Sequence, residues 1–202
     1  RVLIVGGGIG GLSAAIGLRN QGIGVGLVGV QSEWRVYGVG IIQQSNVVRD
    51  MARLGVLDRY LPAGFPFEDI RLYDSDGRAL GRVPGKRLAG PDYPANVGIS
   101  RLALHRVLSE TAVGKGARIR LGLTVSSLSQ SDERVDVTFS DGTRDGYELV
   151  LGADGVYSKV RELLFGDNPK PRYTGQADWR HNFRRPVHIH HLAGFNGPGA
   201  NA

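Results

Sequence analysis

The 202-residue chain has no cysteine. That excludes a disulfide scaffold, a thiolate metal site and a cysteine nucleophile, and it suits a cytoplasmic protein. No run of basic residues is interleaved with aromatics, so the net charge of +6 and the pI near 9.9 do not describe a nucleic-acid groove. A positive field around a site for an anionic ligand accounts for the surplus equally well. Low complexity is also missing: 31 Gly and 9 Pro make up about a fifth of the chain, below the roughly 25–30% that signals disorder. There is no internal repeat. The length fits one large domain or two small ones with a real core.

Val2 to Leu18 carries Arg and Lys nowhere, and Gly6–Gly10 and Gly7–Gly11 stand at GxxxG spacing, which raises a membrane helix or a signal peptide. Six glycines in that stretch would weaken any continuous helix. A basic leader region and an A-x-A-like cleavage site are both missing, so no membrane segment is expected. The chain opens at Arg1 directly into a strand pattern, which predicts a trimmed chain or a fragment.

What is present reads as alternating strands and helices. Arg1–Val5 is a short β-branched run ended by glycine, and Gly8–Asn20 has a mainly apolar face at Leu12, Ala15 and Ile16, with Gly22 as its stop. Ile23–Val28 is a second strand, completing a parallel βαβ unit. Ser45 caps a predicted helix to Leu54, stopped by Gly55. Phe65–Asp92 is a β excursion around a Ser75-Asp76-Gly77 turn, and Ser100 caps a helix over Arg101–Val113 with Leu102, Leu104, Val107 and Leu108 apolar. Beyond Ala117 the pattern is β-rich: Arg118–Leu121, Thr124–Leu128, Val135–Phe139 and Tyr147–Leu151, the last two joined by a Ser140-Asp141-Gly142-Thr143 turn. Gly155–Leu164 is a last short helix, after which the pattern fades.

The sharpest motif is G-x-G-x-x-G through Gly6, Gly8 and Gly11. Its context makes it specific, because a strand ends just before it, a helix begins inside it and a strand follows within about 30 residues. Gly6 makes the tight turn, Gly8 admits a pyrophosphate close to the backbone, and Gly11 lets helix and strand approach. The helix N-terminus offers free N–H groups and a positive dipole end. One element departs from the pattern. The acid expected at the end of the second strand, to bind the adenosine ribose, is Gly29, and Glu33 could replace it only if the loop folds back.

A second motif, Val150-Leu151-Gly152-Ala153-Asp154-Gly155-Val156-Tyr157-Ser158-Lys159-Val160-Arg161, is a strand, an Asp-Gly turn and a helix start. It resembles the DG motif of the single-component FAD-dependent aromatic-ring monooxygenases, the para-hydroxybenzoate, salicylate and hydroxynicotinate hydroxylase family. Glu33-Trp34-Arg35 with Gly38–Ile41, and Ser100-Arg101-Leu102, are similar to further segments of that family. The resemblance runs from Arg1 to about Arg180 and implies an α/β fold: a Rossmann-like FAD-binding domain of glutathione-reductase type, with an inserted β segment and the start of a substrate-domain sheet. It implies a discontinuous cofactor domain over 1–70 and 99–168, and a partial substrate domain over 71–98 and 169–202.

By that resemblance FAD is met by the backbone of Gly6 and of Gly8, Ile9, Gly10 and Gly11, by Arg35 and Arg101, by Asp154 and Gly155, and by the backbone of Val125 near the adenine. Arg35 and Arg101 also read as solvated surface residues, and Asp154 as a turn former. NADH or NADPH reduces the FAD, O2 is consumed, and one oxygen atom passes to a small aromatic substrate. No catalytic residue is identified. No nucleic acid or membrane partner is implied, and a homodimer is left open. The family's later Gly-Asp motif and most of its substrate sheet have no counterpart here, which predicts that these 202 residues alone do not hydroxylate. Two other readings stay open: a prenyl-reductase- or cyclase-like flavoenzyme, and a non-catalytic flavin-binding remnant. His188 and His190 fall on one face if they lie in a strand, but no carboxylate completes a metal site. His105 reads as a surface or packing residue.

Overall fold

A computed structural model describes residues 1–34, 38–166 and 170–201. In chain order the elements are β1 (Val2–Val5), α1 (Ile9–Asn20), β2 (Val25–Gly29), β3 (Gly40–Gln43), α2 (Ser45–Leu54), α3 (Leu57–Tyr60), a 3-10 turn (Leu61–Ala63), β4 (Gly64–Phe67), β5 (Asp69–Asp74), β6 (Ala79–Pro84) and β7 (Asn96–Ser100). Then follow α4 (Arg101–Gly114), β8 (Arg118–Leu121), β9 (Val125–Gln130), β10 (Val135–Phe139), β11 (Arg144–Tyr147), β12 (Leu149–Gly152), α5 (Lys159–Phe165), β13 (Leu192–Gly197) and β14 (Ala200–Asn201). They form two compact units, Arg1–Val36 with His105–Asp178 and Tyr37–Leu104 with Trp179–Ala202.

The first unit is built on a parallel sheet of order β12-β1-β2-β8. All four residues of β1 are buried, as an uninterrupted apolar strand in a parallel sheet should be. Its alternate residues serve two layers. Leu3 and Val5 join Val125, Val137, Phe139 and Tyr147 of the antiparallel sheet β11-β10-β9 in one apolar cluster, which Val160 of α5 completes. Helix α1 buries Leu12, Ala15 and Ile16, and each of its two large side chains contributes roughly 1.5–3 kcal/mol of burial. The glycine-rich stretch from Val2 to Leu18 is thus strand, turn and helix, and no helix among the described residues is long and apolar enough to cross a membrane.

Three helices end alike. Gly22, Gly55 and Gly116 have φ of +75°, +73° and +84°. At each, the glycine N–H reaches back three residues and the next N–H reaches back five. This double closure needs a left-handed residue, so glycine is the natural stop.

The second unit holds an antiparallel sheet of order β3-β7-β4 and a mixed sheet of order β14-β13-β5-β6, in which β13 runs parallel to β5. Asp74 Oδ1 accepts from the N–H groups of Asp76 and Arg78, holding the expected turn, with Gly77 at φ +80°. Asp69 is buried and paired with Arg82 and, at 3.7 Å, Arg71. Tyr60 is fully buried with no hydrogen-bond partner for its hydroxyl among the described residues, and that burial pushes its pKa up.

Several local expectations need correction. Tyr147–Leu151 is not one strand: β11 ends at Tyr147 in the antiparallel sheet, and β12 starts at Leu149 beside β1. The last helix begins at Lys159, four residues later than Gly155, because Gly155 is left-handed (φ +81°) and Ser158 is the cap. Gln44, not Ser45, precedes α2. Ser100 does cap α4, accepting from the Ala103 N–H at 3.1 Å, but Leu102 is 61% exposed rather than packed. His188 and His190 precede β13, so strand alternation does not align them.

Candidate functional site

The loop from Gly6 to Gly11 joins β1 to α1. Gly6 has φ +118°, and a Cβ there would lie 2.3 Å from the Ala153 carbonyl oxygen. A Cβ on Gly11 would lie 1.9 Å from the Gly6 carbonyl oxygen. Neither position tolerates a side chain, since both approaches are to backbone. Gly8 and Gly10 are different: a Cβ on either meets nothing within 4 Å. Gly8 is the helix cap, with extended backbone and no capping side chain, and its carbonyl accepts the first helical bond, from Leu12 N–H at 2.9 Å. The N–H groups of Gly8, Ile9 and Gly10 have no acceptor among the described residues. Open space thus lies over unpaired donors at the positive end of a 12-residue helix with no acidic residue in its first turn. That cradle fits a pyrophosphate.

The Asp-Gly loop stands beside it, although the two motifs are far apart in the chain. Ala153 N–H donates to the Val5 carbonyl at 2.7 Å, and Ala153 is the residue that Gly6 abuts. Asp154 turns toward α5. Its Oδ1 accepts from Ser158 Oγ at 2.5 Å, and its Oδ2 from the N–H groups of Lys159 and Val160 at 2.6 and 3.1 Å. Ser158 Oγ in turn accepts from the Arg161 N–H. Both carboxylate oxygens are therefore engaged in starting a helix. Gly155 has open space around it, and Val156 and Tyr157 are exposed.

The remaining expected residues fall as follows. Val125 points its side chain into the apolar cluster, which leaves only its backbone for a ligand. Gly29 ends β2, and a Cβ there would lie 3.2 Å from Leu121 Cδ2 and 3.9 Å from the Gly7 nitrogen, so a side chain would project beside the loop. In the second unit Arg101 is exposed, its N–H donates to the Val39 carbonyl, and its side chain lies against Gly38. Arg35 lies outside the described residues.

Two contacts at the loop have no signature in the sequence, although Trp34 belongs to a segment similar to the family's. His105, buried on α4, meets the Gly7 carbonyl through Nε2 at 2.9 Å. Trp34 packs edge-on against His105, with ring centroids 4.8 Å apart, and its ring would lie 2.6 Å from a Cβ on Gly7. A lone helical histidine carries no local signal of such a contact.

Comparison with known proteins agrees with this geometry. Residues 1–180 match the family described as FAD binding domain. The chain is 34% identical over 179 residues to 2-heptyl-3-hydroxy-4(1H)-quinolone synthase of Pseudomonas aeruginosa, covering 89% of this chain and 46% of that protein. It is 29% identical over 192 residues to 6-hydroxynicotinate 3-monooxygenase of Bordetella bronchiseptica, covering 93% and 49%. The tetrameric form of 2-methyl-3-hydroxypyridine-5-carboxylic acid oxygenase has a similar structure, with a TM-score of 0.70, 28% identity, and coverage of 82% of this chain and 42% of that one. The chain spans about half the length of the curated relatives it matches. A parallel βαβ unit with a glycine cradle, an adjoining Asp-Gly loop and a family match over 180 residues lead to one assignment: the chain belongs to the FAD-binding domain family of the flavin-dependent monooxygenases.

Proposed function

We propose that this chain seats the pyrophosphate of FAD at Gly8–Gly11, as part of a monooxygenase that hydroxylates a small aromatic ring bearing hydroxy or carboxy groups. The observation that carries the reading is the open cradle over the unpaired Gly8, Ile9 and Gly10 N–H groups. Bound FAD supplies the redox chemistry: two electrons from NADH or NADPH and one O2 give a hydroxylated ring, water and the oxidised nicotinamide. The chain's own residues bind and orient. The α1 N-terminus holds the anion, Gly6 and Gly11 keep the loop pressed onto Ala153 and β1, and the Val125 backbone serves the adenine side. Gly155 lets the Asp-Gly loop turn, while Asp154 fixes that loop through α5.

Arg101 is the guanidinium we assign to the phosphates or the ribityl chain, and Arg35 shares that role in the assignment. The functional division we assign is 1–70 with 99–168 for cofactor and 71–98 with 169–202 for substrate, drawn by role rather than compactness. The names of two relatives, a hydroxynicotinate monooxygenase and a hydroxypyridine carboxylic acid oxygenase, support the substrate class.

The test is to titrate the chain with FAD, then add NADH or NADPH and 6-hydroxynicotinate, measuring flavin absorbance, hydrogen peroxide and ring product. Flavin binding with peroxide and no ring product from these 202 residues is the expected result. Failure to bind FAD overturns the cofactor assignment, and stoichiometric ring product shows that these residues suffice for the whole reaction. Gly29 favours a second reading, a non-catalytic nucleotide-binding remnant that does not retain flavin, because the ribose acid is missing. A remnant would be purified colourless.

A further inference from the structure

We infer that His105 is a positioning residue for the phosphate cradle: it sets the direction of the Gly8 N–H by holding the Gly7 carbonyl. The inference rests on the reading that this cradle takes a pyrophosphate. A carbonyl oxygen can only accept, so the 2.9 Å contact requires the hydrogen on Nε2 of His105. The Gly7–Gly8 peptide is planar and trans, and its C=O and N–H therefore point in opposite directions. Pulling the carbonyl toward α4 aims the Gly8 N–H away from α4.

Left to itself, a Gly-Gly peptide has more freedom to rotate than any other pair. Two contacts remove that freedom here. His105 is 6% exposed and fixed on a 14-residue helix, so its ring is a rigid donor. Trp34 packs against Gly7, where its ring occupies the place of a Cβ, and it also meets the His105 ring edge-on. The loop is thus clamped at the one residue between the tight turn at Gly6 and the donor at Gly8. An anion then finds the N–H already oriented, and the cost of ordering the peptide on binding is removed.

His105→Phe keeps a ring and deletes the donor, whereas His105→Gln retains an N–H at comparable reach. FAD and ADP both carry the pyrophosphate, and riboflavin lacks it. For His105→Phe we expect dissociation constants for FAD and ADP to rise by the same factor, about tenfold, from the loss of one buried hydrogen bond. Weak binding of riboflavin should stay as it is, and His105→Gln should recover most of the loss. In the wild-type chain, 15N resonances of His105 should show the hydrogen on Nε2 and should move when ADP is added. This last measurement decides the matter even if the variants do not fold. A wild-type chain that binds neither FAD nor ADP overturns the reading of the site itself. Wild-type binding with an unaltered His105→Phe affinity, or a hydrogen found on Nδ1 alone, overturns the role of His105 and leaves the site standing.

Discussion

A methyl group on Gly8 and one on Gly11 meet opposite surroundings, though the two residues share one loop. The first enters open space and the second strikes the Gly6 carbonyl. Gly8→Val is therefore expected to leave folding stability within about 0.5 kcal/mol while abolishing FAD binding. Gly11→Ala is expected to cost about 1–3 kcal/mol or more in stability, from overpacking against backbone. Denaturant unfolding together with flavin titration separates the two, and a Gly8→Val chain that still binds FAD would refute the cradle. Gly29 supports a second expectation. A glutamate there projects beside the Gly7 nitrogen and must displace only the flexible end of Leu121. Gly29→Glu should strengthen FAD binding by about 1–3 kcal/mol through a charge-assisted bond to the ribose. Equal affinity by titration would mean that Glu33 or water already fills the role. The spacing of Gly6, Gly8 and Gly11 was legible because each glycine answers a local constraint. His105 and Trp34 were not, because their partner Gly7 becomes their neighbour only after α4 has packed.

At the scale of elements, legibility followed the range of the pairing. β1, α1 and β2 lie within 29 residues, and the periodicity of each, with Gly22 as a stop, identified all three. β7 pairs with β3 and β4, and β13 pairs with β5 from more than 100 residues away. β7 does alternate, with Val97 and Ile99 buried between Asn96, Gly98 and Ser100, but two apolar residues make a short signal, and β13, with Gly194 and Asn196, shows no such alternation. Asp154 illustrates the converse. Its motif was plain in sequence, yet its carboxylate turned out to start α5, accepting from two N–H groups and a hydroxyl. Asp154→Ala should cost about 1–3 kcal/mol of stability through the lost cap. Guanidinium unfolding measures it, and an unchanged midpoint would show that Ser158 alone suffices.

For the molecule as a whole, the surplus positive charge suits an anionic cofactor, and binding must appear as stability. A ligand at a hundred times its dissociation constant adds about 2.7 kcal/mol to a protein that binds it only when folded. FAD should therefore raise the melting temperature of the wild-type chain progressively, and should leave that of Gly8→Val where it is. A shift in both would place the ligand elsewhere. The α/β class was legible from the order of strands and helices, whereas the change of partner within Tyr147–Leu151 was not, because an apolar run does not say which sheet it joins. There the chain leaves an antiparallel sheet at Tyr147 and enters a parallel one at Leu149, with Glu148 alone between. Such a joint counts in parity. One inserted residue would turn every side chain of β12 to the wrong layer, and two would restore the faces but displace the Asp-Gly loop along β1. Length variation among natural or engineered versions of this chain should then collect at the exposed Ser140–Thr143 hairpin tip, while position 148 stays fixed in count whatever residue occupies it.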